Sequence, residues 1–247
     1  MKAIILAAGQ GIRLKPLTDD RPKCMVEFNG KPIIDYIVET LLNSNISDIT
    51  VVNGYKKEVL ENHLKDKDIK FYTNARYDST NMVATLFCAE EEMNDDLIIS
   101  YADIVYNKDV LNKLKEDKSD FAIIVDKNWK ELWQKRMENP LNDAETMKID
   151  HEEFVYELGK KPQSYDEIEG QYIGLIKISK KFLSQVIEYY KKLDKSDMYD
   201  GKNFDNMYMT SFIQSLIAYA KKPKAVFIEG GWVEIDSCED LEIYQSL

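Results

Sequence analysis

Over roughly its first 125 residues the chain alternates short apolar runs with longer amphipathic ones, and this alternation most narrows the fold it can adopt. Residues 3–6, 49–52, 70–72, 97–100 and 121–125 have the length and apolar character of buried strands. Helical patterns separate them. One starts at Gly30-Lys31-Pro32, with Pro32 suited to a first turn and Ile34, Ile37, Val38 and Leu41 on one face. Others cover residues 56–64 and 82–93 and begin near Lys108. Repeated strand–helix–strand units predict a parallel sheet with helices on both faces, and a ligand site at the carboxyl ends of its strands.

The pattern changes after about residue 127. Residues 129–136 read as a short aromatic and charged helix, and residues 147–150 and 154–157 as a hairpin. A strand over 172–178 follows, then helices striped by Leu183, Val186, Ile187 and Tyr190 and by Met209, Ile213, Leu216 and Ile217. A last buried strand, 225–228, precedes Trp232. No repeat or linker divides the chain, so residues 1–247 are expected to form one domain, with 127–205 as an acceptor-side subregion.

The net charge of −11 argues against nucleic acid or an anionic membrane as a partner. The amino-terminal residues have neither the flanks nor the length of a signal peptide or membrane span, so a cytoplasmic address is expected. Cys24, Cys88 and Cys238 are odd in number and far apart, without metal-ligand spacing.

The first apolar run ends in the loop Leu6-Ala7-Ala8-Gly9-Gln10-Gly11-Ile12-Arg13-Leu14. Glycines after a strand let backbone N–H groups approach an anion, and Arg13 and Lys23 add charge that persists near neutral pH. Together these suit a nucleoside triphosphate. The spacing is not that of a P-loop, and the dinucleotide fingerprint would need a third glycine where Arg13 or Leu14 stands.

The stretch LAAGQGIRLKPLTDDRPKCMVEFNGKPII resembles the signature of the sugar-phosphate nucleotidyltransferase family, usually written L-A-A-G-x-G-[TS]-R-[LM]-x-P-L-T…P-K-x-[LM]. Ile12 departs from it, replacing a hydroxyl but keeping the backbone N–H. The resemblance implies a Rossmann-like, mixed but mostly parallel sheet and transfer of a nucleotidyl group from a triphosphate to a phosphate monoester. It implies nucleotide contacts at Leu6, Ala7, Ala8, Gly9 and Gly11, and catalytic charge at Arg13 and Lys23.

Triphosphate chemistry needs a divalent cation, and magnesium is usually held by one or two carboxylates. Asp103 stands just past an apolar strand, and Asp236 follows a Gly-Gly-Trp turn. Both match the family's metal-binding aspartates, with Mg2+ as the expected cofactor. Glu234 is a weaker candidate, expected from the period-two geometry of a strand to point away from the site.

The segment ELGKKPQSYDEIEG resembles the family's E-K-P element, so Lys161 is expected to meet the acceptor phosphate. The stretch YDSTNMVATL and the insert NWKELWQKRMENPLNDAETMKID resemble cytidylyltransferases for small acceptors, of the phosphocholine, aminoethylphosphonate and phosphoglutamine types. That match places Thr80 and Asn81 near the nucleotide, with CTP as substrate. Trp129, Trp133, Tyr172, Tyr199 and Trp232 offer aromatic faces to a quaternary ammonium group. Arg136 could instead clamp a carboxylate of an amino-acid-like acceptor. The stretch PKCMVEF together with the Trp-rich insert resembles the phosphoglutamine type of capsule-modifying enzyme and makes it a live candidate. The expected partners are small molecules, CTP and a phosphorylated acceptor; oligomeric state is left open, a homodimer included. A hexose-1-phosphate uridylyl- or thymidylyltransferase and a catalytically silent nucleotide-binding subunit are the alternatives. A metal-dependent glycosyltransferase would show a D-x-D pair, which Asp103-Ile104-Val105 lacks.

Overall fold

The computed structural model describes residues 1–245. Its centre is a seven-stranded sheet, ordered Lys224–Ile228, Phe121–Asp126, Gln171–Ile178, Leu97–Tyr101, Lys2–Ala7, Asp48–Asn53 and Ile69–Thr73. Six strands run parallel; Gln171–Ile178 is antiparallel to both neighbours. The sheet is therefore mixed and mostly parallel, as the resemblance implied. Lys2–Ala7 is nearly all apolar because both of its faces are covered, one by each of two buried clusters.

Local chemistry sets the helix limits. Ile33–Asn43 buries Ile33, Ile34, Ile37, Val38 and Leu41, the stripe of one helix face, with Pro32 at the N-cap rather than inside the first turn. The helix expected over 82–93 is only Met82–Phe87, capped by the Asn81 side chain, followed by the 3-10 turn Glu90–Glu92. Three successive carboxylates would oppose the negative end of a longer helix. Trp129–Arg136 and the hairpin of Met147–Ile149 with Val155–Leu158 form where the pattern placed them. Among the described residues no helix is long and apolar enough to cross a membrane.

A small ladder outside the main sheet joins the two halves of the chain. Trp232–Glu234 pairs antiparallel with Ile104–Tyr106, Glu234 opposite Ile104, and the Ile235 N–H donates to the Asp103 carbonyl at 2.9 Å. Residues from opposite ends of the sequence are thereby drawn to the carboxyl end of strand Leu97–Tyr101.

Candidate active site

The loop that leaves strand Lys2–Ala7 turns at Gly11, in the left-handed region at φ +67°. A Cβ there would lie 2.8 Å from Lys23 Cβ, so glycine is required for both the turn and the close approach. The turn is tied down by its carbonyl, which accepts from the Leu14 N–H at 3.0 Å and the Thr18 hydroxyl at 2.9 Å. Ile12, where the family signature has a hydroxyl, points to solvent.

Lys23, held against Gly11, reaches between the two aspartates. Its Nζ donates to Asp103 Oδ2 at 2.7 Å and to Asp236 Oδ1 at 2.6 Å. Burial alone would favour a neutral amine, but Asp103, Asp236 and Glu234 surround it and raise its pKa above the ordinary lysine value. Arg13 pairs with the other oxygen of Asp236, Oδ2, while its side chain stays 70% exposed. Asp103 Oδ1 is buried and makes no hydrogen bond. A buried carboxylate oxygen without a partner is costly unless something else meets it.

Two cavities flank this cluster. The first, about 140 Å3, is walled by Leu6, Ala7, Ala8 and Gly9 on one side and by Thr80, Asn81 and Thr85 on the other, with Lys23 and Asp103 at its edge. The second, about 320 Å3, lies between Arg13 and the hairpin side and includes Tyr172, Trp232, Trp133, Glu145 and Glu234. Asn81 and Met82 border both. Asp103 and Asp236 line a shallower cleft shared with Gly9, Gly11 and Arg13.

Four residues expected here lie elsewhere. Trp129 is buried against Trp133 and Tyr165, with ring centroids at 5.9 and 6.2 Å, and is core. Arg136 is 5% exposed and fully engaged by Glu234 and Asp240, so its guanidinium faces inward rather than into a cleft. Tyr199 sits on the hairpin of Met198–Tyr199 with Lys202–Asn203, its hydroxyl donating to the Asp194 carbonyl at 2.9 Å. Lys161 is spent on the carbonyls of Leu141 and Asn142, where it ties down the insert, and it lines neither cavity.

Glu234 joins the site against expectation, and Glu145 without a signal in the sequence. Glu234 does not point away: side chains two apart along a strand share a face, so alternation itself sets Glu234, the last residue of Trp232–Glu234, on the side of Asp236. It borders the cavity with Asp236, and burial followed by the nearby Asp103 and Asp236 raises its pKa despite Arg136. Glu145 is half-buried in the second cavity, with its pKa pushed up to about 7 by burial, by Asp143, by Asp200 and by Glu234. The Thr210 hydroxyl donates to it at 3.3 Å, and Gln171 grips its backbone at both N–H and C=O. Its only trace in sequence is a polar stretch without a motif.

A profile of the nucleotidyl transferase family matches residues 2–134. The chain is 55% identical over 98% of its length, and 98% of the relative's, to CTP:phosphoglutamine cytidylyltransferase of Campylobacter jejuni. It is 37% identical over 46% of its length, and half of the relative's, to choline-phosphate cytidylyltransferase of Streptococcus pneumoniae. Its fold superposes on the structure of CTP:phosphocholine cytidylyltransferase from Streptococcus pneumoniae with a TM-score of 0.73 at 21% identity, covering 99% of this chain and 98% of the other. With inositol-1-phosphate CTP transferase of T. maritima the TM-score is 0.75 at 20% identity, over 99% and 94%. A family profile spanning more than half of the residues and near full-length similarity to one relative establish that the chain belongs to the nucleotidyl transferase family.

Proposed function

We propose that the protein is a magnesium-dependent cytidylyltransferase that moves CMP from CTP onto the phosphate of phosphoglutamine, releasing pyrophosphate. The observation that carries this reading is 55% identity, sustained end to end, with a cytidylyltransferase of that acceptor. The geometry agrees. The first cavity has the glycine loop on one wall and suits the nucleoside, with the triphosphate running past Gly9 and Gly11 toward Arg13 and Lys23. The second cavity then takes the acceptor.

A phosphate oxygen of the acceptor attacks the α-phosphorus in line, and the bond to the pyrophosphate oxygen breaks. That phosphate is already ionised near neutral pH, so no side chain has to remove a proton, which fits a site without a histidine. Alignment of the two substrates and neutralisation of charge by Arg13 and Lys23 carry the catalysis. The donor set suits a hard cation: two carboxylates, one with a buried unpaired oxygen. Asp103 and Asp236 would hold Mg2+, which supplies further charge neutralisation at the phosphate oxygens.

The acceptor side supports an amino acid rather than a sugar. Glutamine carries an ammonium group, and the second cavity is lined by Glu145 and Asp143 beside the largely buried Trp133 and Trp232. Pyrophosphate release should be followed with CTP, UTP, ATP and GTP against phosphoglutamine, phosphocholine, aminoethylphosphonate and glucose-1-phosphate. Turnover with CTP and phosphoglutamine is expected. Turnover confined to UTP and glucose-1-phosphate would overturn the reading.

Glu145→Gln should raise the KM for phosphoglutamine at least about tenfold with little change in kcat, the loss of one charge-assisted contact. Because Glu145 titrates near 7, the wild-type KM should fall as pH rises through that value and the carboxylate forms. The glutamine variant should lack that limb; an unchanged profile would remove Glu145 from acceptor binding.

A further inference from the structure

Behind the first cavity lies a buried amide that the charged cluster does not use. Asn74 follows strand Ile69–Thr73 and is 4% exposed. Its Oδ1 accepts from the Arg76 backbone N–H at 3.0 Å. A backbone N–H can only donate, so this contact fixes which end of the amide is oxygen. The Nδ2 end therefore faces Thr80 and Thr85 and donates to Oγ1 of each, at 2.9 and 3.0 Å. Each hydroxyl must then send its single proton elsewhere. Thr80 donates to the Arg76 carbonyl at 2.8 Å, and Thr85 to the Asn81 carbonyl at 3.3 Å.

Both threonines wall the cavity. With the proton committed and one lone pair taken by Asn74, each oxygen has only a lone pair left to offer the cavity. The segment is also braced against rearrangement. Arg76 forms a two-pronged pair with the Asp205 carboxylate at 2.9 and 3.0 Å, and the Asn81 N–H donates to the Asp205 carbonyl at 2.9 Å.

Cytosine and uracil differ where this matters. Cytosine carries an amino donor at position 4, and uracil a carbonyl acceptor. A freely rotating hydroxyl could serve either base, whereas two hydroxyls locked as acceptors pair with the amino group and repel the carbonyl. We infer that Asn74 sets pyrimidine selectivity by holding Thr80 and Thr85 as acceptors, so that the pocket reads the exocyclic amino group of the base. This rests on the cytidylyltransferase reading and assigns its base preference to three residues. Asn74 does not touch the base; it is a positioning residue.

The test is the ratio of kcat/KM for CTP to that for UTP in the full-length protein, with the rise in melting temperature on adding each nucleotide as a second readout independent of turnover. Thr80→Val and Thr85→Val should each lower the ratio about tenfold through weaker use of CTP, as expected for one neutral hydrogen bond. Thr85→Ser, which keeps the acceptor, should retain the wild-type ratio. Asn74→Ala frees both hydroxyls to turn and should lower the ratio by a similar factor through improved use of UTP. If that variant does not fold, the valine variants carry the test. A wild type that prefers CTP together with valine variants that keep its ratio would overturn this inference alone. A wild type that uses UTP as well as CTP would overturn the cytidylyltransferase reading and this inference with it.

Discussion

Lys23→Ala and Asp103→Ala should each lower kcat at least about a hundredfold in the pyrophosphate-release assay, with the protein still folded. The magnitude follows from losing a preorganised electrostatic contact in a water-poor site. Lys23 is 13% exposed and already charged, oriented and paired before any substrate arrives. Alanine keeps the Cβ that packs near Gly11, so the glycine turn should survive and only the charge be lost. Asp103 is one residue outside the ladder of Ile104–Tyr106, and its backbone carbonyl still accepts from Ile235 in the variant. Because Lys23 and Asp103 touch, their effects should not add, and the double variant should be no worse than about the poorer single one. Near-normal turnover from either single variant would remove its residue from the mechanism; additive losses would mean that the two act separately.

What could be read from the sequence was local. The strand Lys2–Ala7 and its glycine loop are contiguous, so the order apolar run, glycine, cation already describes the site. The convergence of Asp103 and Asp236 on Lys23 has a similar local cue, each sitting at the end of a short apolar segment that a sheet places at its rim. Residues whose meaning depends on distant partners were misread. The stripe of helix Trp129–Arg136 says which face is buried but not that Glu234 and Asp240, about a hundred positions later, lie opposite Arg136. Glu234 and Asp236 are two positions apart, a spacing that along a strand puts both on one face, and they line the same cleft. Glu145 has no local signature because its backbone is held by Gln171, on the strand that enters the sheet in the opposite direction. The second cavity is thus assembled by long-range pairing, whereas the glycine-loop wall of the first is contiguous in sequence.

Arg136→Leu should destabilise the fold by about 3–5 kcal/mol, the usual result of leaving a buried carboxylate without its partner. In a chain of this length that corresponds to a fall in melting temperature of about 10 °C. The loss runs through Asp240. Burial opposes its ionisation, but the hydrogen bonds and charge of Arg136 outweigh that and hold its pKa below the ordinary aspartate value. Asp240 in turn accepts from the N–H groups of Asp236 and Ser237, both at 2.9 Å, and so suspends the turn that carries Asp236. A carboxylate with a lowered pKa gives stability that is present above its unfolded value, near 3.8, and lost as pH falls through the native one. The penalty of Arg136→Leu should therefore shrink under strongly acidic conditions. Asp240→Asn keeps an oxygen for the two N–H groups and removes the charge, so the double variant should be destabilised by less than the sum of the singles. Additive melting-temperature losses would show that Arg136 supports the fold through Glu234 or packing instead. A full loss of activity at unchanged stability would mean that its charge is felt at the substrates.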